Sequence, residues 1–311
     1  MSERNTVETP NFVWFIGVVE SRDDPDTLGR CKVRCIGYHT EDKSELPTDD
    51  LPWATPMQPI TSAASSEVGT APVGPVEGTW VVGFFQDGDK AQQPIFMGTI
   101  GGVPLAAANP GMGFNDPNGT YPTRVGFPDT PRLAYGNKEG TSVEFKESNI
   151  DEMLPASHLF GEPKLPEPDP PYAASYPFNH ITQTESGHIL EMDDTPGAER
   201  INILHRSGSF DEYHPDGSRV QKILGDGYEV VANNKQVHVR GTCYITVDGN
   251  SEIYTKGDCL FRTDGNQQFK VQGDCQFNVG GKFAVQSSLG QSRLEMIGPM
   301  INLNPPYPVV Y

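Results

Sequence analysis

The sequence has 311 residues, of which 36% are apolar, with 33 glycines, 28 prolines and a net charge of −18 at pH 7. That balance suits either disorder or an elongated, turn-rich β protein that buries little core per residue. The negative charge argues against a nucleic-acid partner, whose phosphates need clustered Lys and Arg. No apolar run approaches the roughly 20 residues that span a bilayer. The N-terminal "MSERNTVETPNF" has neither the basic start nor the apolar stretch of a secretion signal, so synthesis in the cytoplasm is expected.

After a short arm (residues 1–11), residues 12–104 read as a compact β domain. "FVWFIGVVESRDDPDTLGRCKVRCIGYH" holds two β-rich runs joined by the turn-forming "DDPDTLG". In the second run Cys31, Val33 and Cys35 share one face, and Lys32 and Arg34 the other. "TWVVGFFQDGDKAQQPIFMGTIGG" adds two strands around an Asp-Gly turn. Short strands, tight turns and almost no helix predict a small barrel of the five-stranded OB type.

Residues 105–172 change character, because "PEPDPPYAASYP" can form neither helix nor central strand. This segment reads as an extended connector. Strand signals return over 173–216, where "GHILEMDDTPGAERINILHRSG" predicts a hairpin turning at "DDTPG".

From 217 to 311 an eight-residue beat sets in, with corner positions Gly217, Gly225, Asn233, Gly241, Gly249, Gly257, Gly265, Gly273 and Gly281. Asparagine is the side chain that best tolerates glycine-like backbone angles. Two residues before the corner stand Val239, Val247, Val271 and Val279. Four after it come Ile245, Ile253, Phe261, Phe269 and Phe277, and two after it come Cys243, Cys259 and Cys275. Odd offsets are mostly polar or charged. Even offsets therefore face inward, and because eight is even the inward face persists from one repeat to the next. Two solenoids could use such strands: a single chain coiling through three octads per turn, or three chains intertwined around one axis. About nine octads make only about three single-chain coils, too few for a stable solenoid, so the trimer is preferred. The Cys spacing of two octads would then set each thiol in a ring of three.

A valine two residues before a glycine, repeated every eight, resembles the intertwined β-helix of the central spikes of contractile-tailed phages and of the VgrG proteins of type VI secretion. "GVVESRDDPDTLGRCKVR", "LPWATPM" and "GPVEGTWVVGFFQDGD" are similar to that family's OB-fold, and "SGHILEMDDTPGAERINILHRSGSFDEYHPDGS" to the strands leading into its helix. The resemblance implies an all-β homotrimer: an OB barrel seated on a baseplate hub, and a triangular β-helix that punctures the host outer envelope when the sheath contracts. It places the protein in the tail baseplate of a virion. The T-even spike carries a lysozyme between barrel and helix. Here that interval is about 68 residues of proline-rich chain, without a lysozyme's helical pattern. VgrG proteins fuse a hub region ahead of the barrel, whereas here about 11 residues precede it, which implies a separate hub protein.

Candidate chemistry is sparse. The connector carboxylates Glu139, Glu144, Glu147, Asp151 and Glu152 show no spacing that sets them apart from solvated charges, and no enzyme, cofactor or metal is expected. A peptidoglycan-degrading enzyme with its site in the connector, or a VgrG-like injection spike, are the alternative readings. His188 and His205 sit on predicted strands, where packing is the simpler role. The Asp-Gly pairs at 87–88, 216–217, 248–249 and 264–265 read as turns. Beyond Gly281 the beat slips, and prolines at 305, 306 and 308 stop the ladder. The end would leave Met300, Ile301 and Leu303 as a docking platform, which in the resembling family takes a PAAR-type tip protein.

Overall fold

The computed structural model describes residues 11–63, 68–115, 125, 126, 128, 132–136, 168–247 and 249–285. The chain divides into two units, 1–241 and 242–311. Ten strands are formed among the described residues, all in the first unit.

Strands β1 (Val13–Ser21), β2 (Cys31–Cys35), β3 (Trp53–Pro56), β4 (Trp80–Phe85) and β5 (Pro94–Ile100) close a barrel in the order β1-β2-β3-β5-β4. Neighbours are antiparallel except β3 and β5, which run parallel. This is the five-stranded barrel expected from the short strands, tight turns and near absence of helix. Its interior is filled by Phe15, Val19, Cys31, Val33, Cys35, Val81, Phe85 and Phe96. Burial pushes the thiols of Cys31 and Cys35 up to about 12, so both behave as small apolar fillers.

The β1–β2 turn is built by Asp24, whose carboxylate accepts the backbone N–H groups of Asp26, Leu28 and Arg30. The Arg30 guanidinium closes on it at 2.6 Å and holds the Asp24 carboxyl far below the usual carboxylate range. Gly29 is required there. Its φ is +76°, and a Cβ would lie 1.9 Å from the Pro72 carbonyl oxygen.

Both faces of β2 are covered. Lys32 and Arg34 share the face opposite the cysteines, yet that face is also buried. Arg34 Nε lies 2.5 Å from Glu20 Oε1, and its other nitrogens donate to the carbonyls of Thr40 and Leu46 at 2.6 Å. Lys32 Nζ donates to the Asp49 carbonyl at 3.1 Å and sits 4.4 Å from the centre of the Trp53 ring. The loop after β2 folds back over these side chains, and every charge finds a partner.

The second layer of the first unit is an open antiparallel sheet in the order β10-β9-β8-β7-β6. Its strands are β6 (Asn179–Gln183), β7 (Ile189–Asp193), β8 (Arg200–Leu204), β9 (Phe210–Tyr213) and β10 (Arg219–Lys222). The predicted hairpin at "DDTPG" is the β7–β8 connection. Tyr172 and Ala174 pack on one face of the sheet together with Ile189, Leu204 and Phe210. Gly136 allows the chain to close there, because a Cβ on it would lie 2.0 Å from the Ala174 carbonyl oxygen.

Candidate assembly surfaces

Among the described residues, three apolar surfaces face water in the single chain. The first is on the barrel. Trp14, Phe84 and Ile95 stand in register across β1, β4 and β5, and Trp80, earlier on β4, pairs with Ile100. Phe12 packs on Phe84 with ring centroids 5.3 Å apart, and Phe114 stacks on Trp80 at 6.4 Å. Trp14 is 60% exposed.

The second surface is on the β6–β10 sheet, whose closed face buries Ile189, Leu204 and Phe210 together with charged side chains. The closed face carries Glu191, Asp193, Arg200, Asn202 and Glu212, all buried. Arg200 pairs with Glu191 at 2.6 Å and Glu212 at 2.8 Å, and its guanidinium lies 4.7 Å from the centre of the Tyr172 ring. Desolvation raises the Tyr172 phenol well above its usual range. His214 Nε2 reaches Glu212 at 2.9 Å, and Asn179 donates to Glu191 at 2.8 Å. The open face carries Leu190, Met192, Ile201, Ile203 and Tyr213, each between 44% and 55% exposed.

The third surface runs along residues 223–285. Among its described residues no strand is formed, and the backbone bends at 224–225, 232–233, 240–241, 256–257, 264–265, 272–273 and 280–281, with Gly249 bent as well. These are the predicted corner positions from Gly225 through Gly281. Gly217 differs: it lies at φ +81° in the turn joining β9 and β10, so the first octad belongs to the antiparallel sheet. At Gly241 and Gly257 the backbone is outside the left-handed region, and a Cβ would meet nothing within 4 Å. Neither glycine is needed by the geometry of its own chain.

The residues expected to face inward all lie in water in one chain. Val239, Val247, Val271 and Val279 are about half exposed. Ile245, Ile253, Phe261, Phe269 and Phe277 are 72–86% exposed. Cys243, Cys259 and Cys275 are free and exposed. Met300, Ile301 and Leu303 lie outside the described residues, as do Glu139, Glu144, Glu147, Asp151 and Glu152.

His188 and His205 come together with ring centroids 4.5 Å apart. Each accepts a backbone N–H on Nδ1, from Arg206 and Ser207 respectively, which makes them turn-locking groups. Among the described residues no group of three or more His, Cys, Asp or Glu side chains is arranged to hold a metal. Asp87 and Asp216 accept backbone N–H groups of Gln93 and Ser218, as turn residues do. Sequence reading did not single out the open face of the sheet. The alternation was visible, but period two does not say which face the chain will cover.

Residues 37–158 match the Gp5 N-terminal OB domain family. Over those residues the chain is similar to that family. It is similar to Protein Gp5 of Vibrio phage KVP40, with 43% identity over 261 residues, covering 74% of this chain and 62% of that protein. It is similar also to the pre-baseplate central spike protein Gp5 of Enterobacteria phage T4, with 44% identity over 235 residues, covering 72% of this chain and 39% of that protein. The chain thus spans less than two thirds of the length of either relative. Both relatives are phage proteins, and the second is named for a baseplate structure.

Proposed function

We propose that this chain is the central spike of a contractile phage tail, a mechanical part of the baseplate that works as a homotrimer and catalyses nothing. The observation that carries the reading is the eight-residue spacing of bends with apolar side chains left in water between them. A lone chain does not cover Phe261, Phe269 and Phe277, which lie exposed between its bends. Three such chains wound around one axis cover them. Each extended segment then pairs its backbone with another chain, and the even offsets meet their copies on the axis. The corner glycines, which their own chain does not need, give the neighbouring chains room to approach. The names of the relatives support the same role.

A puncturing device must be stiff and must not unravel under load. Interchain hydrogen bonds supply both properties, because no chain can peel away alone. At the Gp5 OB domain, the outward strip of Trp14, Phe84 and Ile95 offers an apolar seat for a separate hub protein. At the other end Met300, Ile301 and Leu303 would dock a PAAR-type tip, and contraction would drive the assembly through the outer envelope. A clearing assay on peptidoglycan with the purified chain tests the non-catalytic part. No clearing is expected, and clearing lost on substituting the connector carboxylates would replace this reading with an enzymatic one.

A further inference from the structure

We infer that the charged residues just before the corners form a ladder between chains, which fixes the register in which three copies wind together. The inference rests on the trimeric reading above. Arg240, Asp248, Lys256 and Asp264 stand one residue before four successive corners, Gly241, Gly249, Gly257 and Gly265, and they alternate in sign. Their offset is odd, which puts them on the outward side of the alternation. Arg240, Lys256 and Asp264 are exposed.

The alternation has no use inside one chain. Eight extended residues span about 26 Å, far beyond the reach of an ion pair. Neither Arg240 nor Lys256 forms an ion pair with a described residue. Asp264 lies 3.5 Å from Arg262 of its own octad, with both side chains in water.

Between chains the pattern fits. Three chains related by a threefold axis, each turning onto a new face at every corner, stack successive octads of different copies on each face. Neighbouring strands lie about 4.8 Å apart, so equal offsets of successive octads come within reach of one another. Lys256 of one copy then stands between Asp248 and Asp264 of its neighbours. In a single chain coiled three octads to the turn, octads three apart would stack instead. Of these four residues only Arg240 and Asp264 would then meet an opposite charge.

The apolar core does not fix the register by itself. Val239, Val247, Val271 and Val279 share one offset, and Phe261, Phe269 and Phe277 share another. A copy threaded one full turn out of place, three octads along, still buries valine and phenylalanine. On one side it also brings octads two apart into contact. Arg240 then meets Lys256, and Asp248 meets Asp264. Like charges oppose the wrong threading and opposite charges favour the right one. Each exposed pair is weak, so the ladder acts on the choice of register more than on stability.

The test uses the full-length chain. Native mass is measured, and a water-soluble carbodiimide then couples lysines to the carboxylates they touch. The inference predicts a trimer that gives covalent dimers and trimers on a denaturing gel, with isopeptides joining Lys256 to Asp248 or Asp264 of another copy. A trimer in which Lys256 joins neither carboxylate overturns the inference and leaves the trimeric reading standing. A monomeric native mass overturns both. Two variants read the register through assembly. Lys256→Asp, which sets three aspartates in a row along the ladder, should lose trimer on refolding at low salt. Arg240→Asp, Asp248→Lys, Lys256→Asp and Asp264→Lys made together keep the alternation and should restore it. Full recovery of trimer by the single variant, or none by the fourfold one, overturns the inference.

Discussion

Arg200 and Glu191 meet at 2.6 Å with both side chains withdrawn from water, on the face of a sheet where an apolar layer would be expected. Glu212 completes the arrangement from the next strand, at 2.8 Å. Removing the cation would strand two buried carboxylates, which costs about 3–5 kcal/mol for a broken buried pair. Arg200→Met should lower the unfolding free energy by that amount per chain, read from the shift of the denaturation midpoint. Replacing Arg200, Glu191 and Glu212 together by apolar residues should recover much of the loss. Equal losses for the single and triple variants would show that the charges are not coupled.

Phe269 and Lys270 are neighbours on opposite sides of the proposed shaft. A Phe→Ala core truncation costs about 3–5 kcal/mol, and a threefold assembly feels it three times. Phe269→Asp should abolish trimerisation in sedimentation, while Lys270→Asp should leave the native mass unchanged. Equal effects at the two positions would show that the inward face is wrongly assigned.

His39 gives the barrel a pH dependence. Burial, aided by the nearby Arg34 charge, lowers its pKa from the ordinary value, and its Nδ1 accepts the Cys35 N–H at 2.8 Å. The folded chain thus holds fewer protons at this site than the unfolded chain near pH 6.5. Its contribution to stability is full above about pH 6.5 and is lost as pH falls from there through the lowered folded-state pKa. His39→Gln, which can still accept the amide, should flatten the fall in midpoint between about pH 7.5 and 5.5. An unchanged slope would assign the pH dependence to other groups.

Thiol labelling separates the two sets of cysteines. Cys31 and Cys35 are buried in the barrel, with pKa values pushed up to about 12, and should resist maleimide in any folded form. Cys243, Cys259 and Cys275 are exposed in one chain and should be protected only by assembly. Peptide-resolved labelling should show all three slow in the native particle and fast after dissociation. Fast labelling in a native trimer would place them outside the core.

Much of this was legible in the sequence. β1 and β2 were readable because alternation and the "DDPDTLG" turn agree, and β4 and β5 because aromatic and branched residues flank an Asp-Gly turn. The corners from Gly225 to Gly281 were readable because a fixed spacing needs no tertiary information. β3 was harder, since four residues ending in a proline carry little propensity and its pairing with β5 is long-range. The burial of Lys32 and Arg34 depends on a loop folding back from residues 40–51. The burial of Arg200 on the closed face of the β6–β10 sheet depends on Tyr172 arriving from the connector. Contacts made at a distance in sequence leave no periodic trace. The role of Gly217 was misread for a related reason: a hairpin turn and an octad corner ask for the same residue.

The central claim is that one chain is incomplete and three make the working part. Sedimentation equilibrium of the purified full-length protein tests it most directly. The account predicts a particle of three times 34.0 kDa that keeps this mass on dilution. A folded species at the mass of a single chain would contradict it.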